Sequence, residues 1–164
     1  MYTIIDYLKF YSNASLNEVK WNNIDNLMAA VIVYLPVPSF KENKSLKELS
    51  DYATKNEADI RGFTETKAVE ILNIIKNSKR YKNITISNFI NIKNEDSQFG
   101  ACIIKTLKEK IISFKGTDRS LIGWLENFRL MYEYPTYTQN LAIKYLNDNI
   151  SFMDKDVNVV GHSK

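Results

Sequence analysis

The sequence predicts an α/β fold: a helical N-terminal part, then a mixed sheet made of an antiparallel meander and a final parallel strand. Three observations carry this expectation. Apolar residues recur at helical spacing through the first half. Near residue 84 the period shortens from 3.6 to 2, the spacing that puts alternate side chains on one face of a strand. After Gly116 helical spacing returns and then gives way to one more apolar run, so the chain closes on a strand–helix–strand unit, the order of a parallel crossover.

Asn22 or Asn23 can cap a helix that carries Leu27, Ala30, Val31 and Tyr34 at i, i+3, i+4, i+7. Ser45 and Glu48 form a Ser-x-x-Glu capping box ahead of a helix with Leu46, Leu49 and Ala53 on one face. Thr64 or Thr66 caps a third helix striped by Ala68, Ile71, Leu72 and Ile75, which ends at Asn77 and Ser78. Ile84 and Ile86, then Ile90 and Ile92, alternate with polar residues as a strand does. Residues 94–98 read as a polar loop, 99–107 as a strand, Lys108-Glu109 as a turn and 110–114 as another strand. Connections this short favour antiparallel neighbours. Beyond Gly116, Leu121, Trp124, Leu125 and Phe128 share a helical face. A further helix from Thr136 or Thr138 groups Leu141, Ala142, Tyr145 and Leu146, and residues 156–160 are the last strand. One domain is expected over residues 1–164, mainly helical over 1–82 and sheet-based over 83–164.

Composition excludes several classes of function. The net charge of +3 is mild, and the lysines are scattered among acids rather than forming a stripe, which argues against a nucleic-acid face. The longest apolar run, residues 27–35, has nine residues and ends at Pro36 and Pro38, whereas a membrane-spanning helix needs about 20. No transmembrane segment is therefore expected. The first residues carry an acid, Asp6, and no basic cluster of the kind that opens an export signal. The single cysteine, Cys102, lies in an apolar run. It cannot form an internal disulfide and reads as a small buried side chain in a reducing compartment, so a cytoplasmic location is expected. Neither a Cys/His cluster nor a phosphate-binding glycine loop is present, and no metal or organic cofactor is implied.

The chemistry lies in two glycine turns. Residues 111–114 run as an apolar strand into Lys115-Gly116-Thr117-Asp118, a loop that can offer a backbone N–H and a hydroxyl to a developing oxyanion. Val159-Val160 runs into Gly161-His162-Ser163-Lys164, the first four positions of a Gly-x-Ser-x-Gly nucleophile elbow. In that elbow the N–H of the residue after the serine is the second oxyanion donor. Each segment alone has a plainer reading, a turn for one and a strand leading to an Asp118 helix cap for the other. Together, in this order and about 45 residues apart across mostly helical sequence, they follow the plan of a lipase-like hydrolase.

Phe114-Lys115-Gly116-Thr117-Asp118, Gly123-Trp124-Leu125-Glu126-Asn127-Phe128, Ala142-Ile143-Lys144-Tyr145-Leu146 and Val160-Gly161-His162-Ser163-Lys164 resemble a bacterial lipase-like group of unknown substrate. That group is similar to the class 3 lipases, whose cores read Phe-Arg-Gly-Thr or Ser and then Gly-His-Ser-x-Gly. The strong resemblance covers residues 84–164. A weaker one, Asn17-Glu18 and Asn23-Ile24-Asp25-Asn26-Leu27, extends to the N-terminal helix. The resemblance implies the N-terminal part of an α/β-hydrolase fold and hydrolysis of carboxylic, acyl-lipid esters through an acyl-serine. Ser163 would be the nucleophile. Thr117 and Lys164 would line the oxyanion hole, with Gly116, Gly161 and Trp124 in support.

Three departures from the group bear on this. Lys115 stands in place of the usual Arg, so a fork-shaped pair to a carboxylate becomes a point-charge contact. Asn127 stands where the group often has Asp. Both are expected to affect packing more than chemistry. The triad acid and histidine follow the serine in this fold, and these residues end at Lys164. The single histidine, His162, is adjacent to Ser163 and would point to the opposite side of a strand, so it is a poor base for its neighbour. Asp118 and Asp156 are poorly matched to a serine hydroxyl, because a free carboxylate titrates at a pKa of about 4. The chain as it stands is therefore expected to be inactive. Ser163 and Lys164, without the helix that packs behind the elbow, are expected to be flexible or differently placed. The unpaired strand edge is expected to favour self-association. The alternative is a non-catalytic interaction module on a hydrolase scaffold, or half of a split enzyme.

Overall fold

The computed structural model describes residues 2–56, 63–94, 97–117 and 121–161. Among the described residues the chain forms helices α1 (Ile4–Phe10), α2 (Asn23–Ile32), α3 (Leu46–Lys55), α4 (Phe63–Ile75), α5 (Leu121–Arg129) and α6 (Tyr137–Asn149), and strands β1 (Lys44–Ser45), β2 (Thr85–Lys93), β3 (Gln98–Lys105), β4 (Lys110–Phe114) and β5 (Val157–Gly161), with β1 between α2 and α3, β2 to β4 between α4 and α5, and β5 last. The strands lie in the order β1-β2-β3-β4-β5. The first three pairings are antiparallel and β4–β5 is parallel, so the expected meander and final crossover are both present.

Helices cover both faces of this sheet. Leu8, Met28, Ile32, Leu49, Ile71 and Leu72 of the N-terminal helices pack on Ile86, Phe89, Cys102, Ile104 and Ile111. On the other face Leu141, Ala142, Tyr145 and Leu146 of α6 pack on Phe99, Ala101, Ile103 and Ile112. β3 is buried along almost its whole length, as a central strand must be.

Capping explains most helix starts. Thr3, Asn22, Ser45 and Thr136 each accept a first-turn backbone N–H, and the acid or amide three residues later returns the bond. The Ser45 box and the Thr136 alternative are as the sequence predicts. α1 and β1 are not foreseen: seven residues and two residues are too short for a periodic signal. α4 begins at Phe63, which puts Thr64 and Thr66 inside the helix rather than ahead of it, while the expected stripe Ala68, Ile71, Leu72 and Ile75 is fully buried. Asp118, expected as a cap, lies outside the described residues.

Two expected faces are rotated. In α2 the expected Ala30 is buried, as is Tyr34 just beyond the helix, but the buried face also takes in Asp25, Met28, Ala29 and Ile32, while Leu27 is 43% exposed. The stripe begins with a charged residue, so apolar periodicity alone misplaces it. α2 also stops at Ile32, before Tyr34. Tyr34 N–H turns back to Val31 O and Leu35 N–H to Ile32 O, a tightened last turn ahead of Pro36. In β2, Ser87 faces Ile103 but Ile90 faces Ala101, so Asn88 and Phe89 together oppose Cys102. Asn88 sits at φ 46°, in the left-handed region that Asn tolerates better than most residues. The extra residue reverses the alternation: Ile84 and Ile86 face the N-terminal helices, and Ile90 faces α6.

The N-terminal layer is tied down by a buried ion pair. Arg80 Nη2 lies 2.6 Å from Asp25 Oδ2 and Arg80 Nε donates to Asp25 Oδ1 at 3.1 Å, with both side chains fully buried. The Tyr81 hydroxyl also donates to Asp25, and Arg80 donates to Val19 O and Lys20 O. Each charge is thus satisfied several times over, the condition under which a buried pair is tolerated. A second link joins α2 to the sheet: Ser113 Oγ donates to Ala29 O at 2.9 Å inside the core.

Arg80→Met or Asp25→Ala strands the opposite charge and is expected to destabilise the fold by about 3–5 kcal/mol in chemical denaturation; a loss under about 1 kcal/mol would show the pair to be dispensable. Burial pushes the Cys102 thiol well above its usual range. Alkylation of native protein at pH 8 is therefore expected to be far slower than alkylation in denaturant, and equal rates would contradict the burial.

Candidate active site

The parallel pairing of β4 with β5 builds the site. In the register Lys110↔Val157 through Phe114↔Gly161, the last residues of the two strands are direct neighbours. Phe114, which leads into Gly116, and Gly161 therefore stand side by side at the same end of the sheet. This is the carboxyl end of a parallel pair, where α/β sheets place their ligands. Gly161 has ordinary room around it: a Cβ there would lie 3.6 Å from Phe114 O.

The loop after β4 is held from three sides. Lys115 N–H donates to Gly100 O at 2.8 Å, which carries the β3–β4 ladder one residue past the strand. The approach is close enough that a Cβ on Gly100 would come 2.8 Å from Lys115 Cβ, so only glycine fits. Gly116 is buried, and its N–H donates to the Tyr34 hydroxyl at 2.9 Å. Thr117 is partly exposed, and its hydroxyl donates to Asn127 Oδ1 of α5 at 3.1 Å. The Lys115 ammonium lies over the Tyr34 ring, 5.5 Å from its centroid. Where the sequence left a point-charge contact in place of an arginine fork, the structure supplies an aromatic face.

Below the loop, Phe114 packs with Phe99 and Tyr145 in an aromatic cluster with ring centroids 5.8–6.4 Å apart. Tyr145 also donates to Asn88 O, which ties α6 to the bulge in β2. Burial pushes the Tyr145 phenol far above its usual range, so it serves as a hydrogen-bond donor rather than an acid.

The sequence-derived site residues are thus partly brought together. Gly116, Thr117 and Gly161 lie at the carboxyl end of the β4–β5 pair. Ser163 and Lys164, with His162, lie outside the described residues, so the expectations for them are neither met nor corrected. Trp124 does not line the loop from within: it is 56% exposed. Leu121, Leu125 and Phe128 are exposed with it, so the four do share a face of α5, but one turned to solvent. Gly123, Ile122 and Asn127 are the covered positions, and the Thr117–Asn127 bond fixes the helix in that rotation. Sequence reasoning missed Tyr34 and Gly100. Tyr34 reads as one more apolar residue before Pro36, and nothing in its spacing marks a hydroxyl that reaches the other half of the chain.

A family model described as Mbeg1-like matches residues 75–164, and the chain belongs to that family. No curated protein and no solved structure matches it. The matched segment begins at the end of α4 and takes in Arg80, the whole sheet except β1, and both glycine turns. No helix among the described residues is long and apolar enough to cross a membrane.

Asn127→Ala removes the acceptor of the Thr117 hydroxyl. It is expected to cost about 1 kcal/mol and to speed amide exchange in α5, whereas Asn127→Asp keeps an acceptor and the protection. Unchanged α5 exchange in Asn127→Ala would mean that the bond does not hold the helix.

Proposed function

We propose that these residues form the nucleophile-bearing part of a serine hydrolase on an α/β-hydrolase scaffold, acting on carboxylic esters, with acyl lipids the leading substrate class. The observation that carries this reading is the Phe114↔Gly161 register, which brings the strand ahead of Ser163 beside the loop that ends in Thr117. A nucleophile and its oxyanion donors must flank one carbonyl, and adjacent parallel strands ending level are a direct way to achieve that.

In this mechanism Ser163 Oγ attacks the ester carbonyl carbon, and the carbonyl oxygen takes up the charge. Thr117 and the N–H of Lys164 stabilise that oxygen; fixed donors of this kind contribute roughly 3–4 kcal/mol each. The tetrahedral species collapses to an acyl-serine as the alcohol leaves, and water then releases the carboxylic acid. The proton from Ser163 needs a base. His162 is the immediate neighbour of Ser163 and is poorly placed to serve it, so the triad histidine and its acid would come from residues outside these 164. Expressed alone, this stretch is expected to give no turnover, since loss of a triad base costs about four or more orders of magnitude in rate.

A second reading, an interaction module on the same scaffold, is favoured by the solvent-facing Leu121, Trp124, Leu125 and Phe128 of α5. Self-association belongs with it: among the described residues β5 pairs only with β4, which leaves its outer edge open to another strand.

The complete gene product is expected to hydrolyse p-nitrophenyl acyl esters, with activity abolished in Ser163→Ala and the melting temperature kept. Activity that survives in Ser163→Ala, or its absence from the complete product, would leave the interaction module as the better reading.

A further inference from the structure

On the hydrolase reading, we propose that Tyr34 is a positioning residue that sets the oxyanion loop from the helical layer, outside the segment that the family model covers. Tyr34 is buried and stands just past the end of α2, two residues before Pro36. It engages two successive residues of the loop in two ways. Its hydroxyl accepts the Gly116 N–H at 2.9 Å, and its ring faces the Lys115 ammonium.

The consequence concerns which donors the loop can offer. A buried N–H needs an acceptor, and that of Gly116 is taken by Tyr34 on the side of the N-terminal helices. Gly116 is therefore withdrawn from the oxyanion, and, with the Thr117 hydroxyl donated to Asn127, the Thr117 N–H is the donor of the loop left to it. The peptide plane between Lys115 and Gly116 is fixed by the same bond, with the ladder bond from Lys115 N–H to Gly100 O fixing the plane before it. Two consecutive planes set in this way fix the backbone dihedrals of Lys115 and so place the Cα of Gly116, from which the chain continues to Thr117. Asn127 then holds the Thr117 side chain from the opposite side. Without the Tyr34 hydroxyl, the Gly116 N–H has to seek another acceptor, and the loop turns with it. Oxyanion donors act only when aimed, so the loss falls on the transition state and not on substrate binding.

The test uses the complete gene product and Tyr34→Phe, which keeps the ring and the contact with Lys115 while removing the acceptor. Ser113→Ala, which removes the separate hydrogen bond from β4 to Ala29, is the control for general loosening of α2. Turnover is referred to active sites titrated with a fluorophosphonate, and exchange of the Gly116 amide is followed by NMR. In Tyr34→Phe, kcat is expected to fall about tenfold with KM unchanged, less than the loss of a whole donor. Gly116 exchange is expected to accelerate at least as much, while Ser113→Ala lowers the melting temperature but keeps kcat per site. Wild-type kcat in Tyr34→Phe, or an equal fall in Ser113→Ala, would overturn the proposal. If the wild-type product neither reacts with the probe at Ser163 nor hydrolyses esters, the hydrolase reading itself fails. The Gly116 amide then still decides the anchoring: unchanged protection in Tyr34→Phe rejects it, and lost protection upholds Tyr34 as the residue that sets the loop.

Discussion

The parallel pairing of β4 with β5 is the constraint on which the functional reading depends. Every other neighbouring pair in the sheet is antiparallel, and β2–β3 and β3–β4 are joined by short connections. A parallel pair requires the chain to cross from one end of the sheet to the other, and α5 and α6 make that crossing. Its result is that two strands end level, at Phe114 and Gly161, at the same end of the sheet. If β5 were paired antiparallel, Gly161 would lie at the opposite end of the sheet from Phe114.

That pairing is supported from both faces. On one side α2 lies along the sheet through Ser113–Ala29 and the packing of Val160, and α2 is itself held by the Asp25–Arg80 pair. This pair joins a residue early in the chain to one inside the family-matched segment, so the N-terminal helices complete the core of that segment rather than forming a separate body. On the other side α6 supplies Leu141, Ala142, Tyr145 and Leu146. Lys110, at the start of β4, bonds to Asn149 O and to Asp154, 2.7 Å away, and so fastens the end of the crossover next to the strand it serves. Lys110 holds the Asp154 carboxyl below its usual range, aided by the Ser151 N–H.

Strands β2 to β5 were legible because period-2 runs, a polar loop and a short turn are local signals, and the crossover followed from helical sequence between two apolar strands. The site was legible in part for the same reason: Gly116, Thr117 and Gly161 stand at strand ends, where a glycine has a specific meaning. What escaped was set by tertiary partners. Asp25 opens the buried stripe of α2 because Arg80 waits for it, and an apolar count discards such a residue. Phe89 and Ile90 exchange faces because Asn88 takes a left-handed conformation, which strict alternation does not foresee. α5 turns its large apolar residues outward while Asn127 bonds to Thr117, a partner that periodicity does not mark. Tyr34 reaches Gly116 across 82 positions of sequence, a distance at which periodicity carries no information.

The most direct test of the proposed site is a crystal structure of the complete gene product after reaction with a fluorophosphonate. The hydrolase reading predicts phosphorus bonded to Ser163 Oγ, with the phosphoryl oxygen about 2.7–3.1 Å from donors of Thr117 and from the N–H of Lys164. A Ser163 that stays unmodified, or an adduct whose phosphoryl oxygen points away from Thr117, would contradict it.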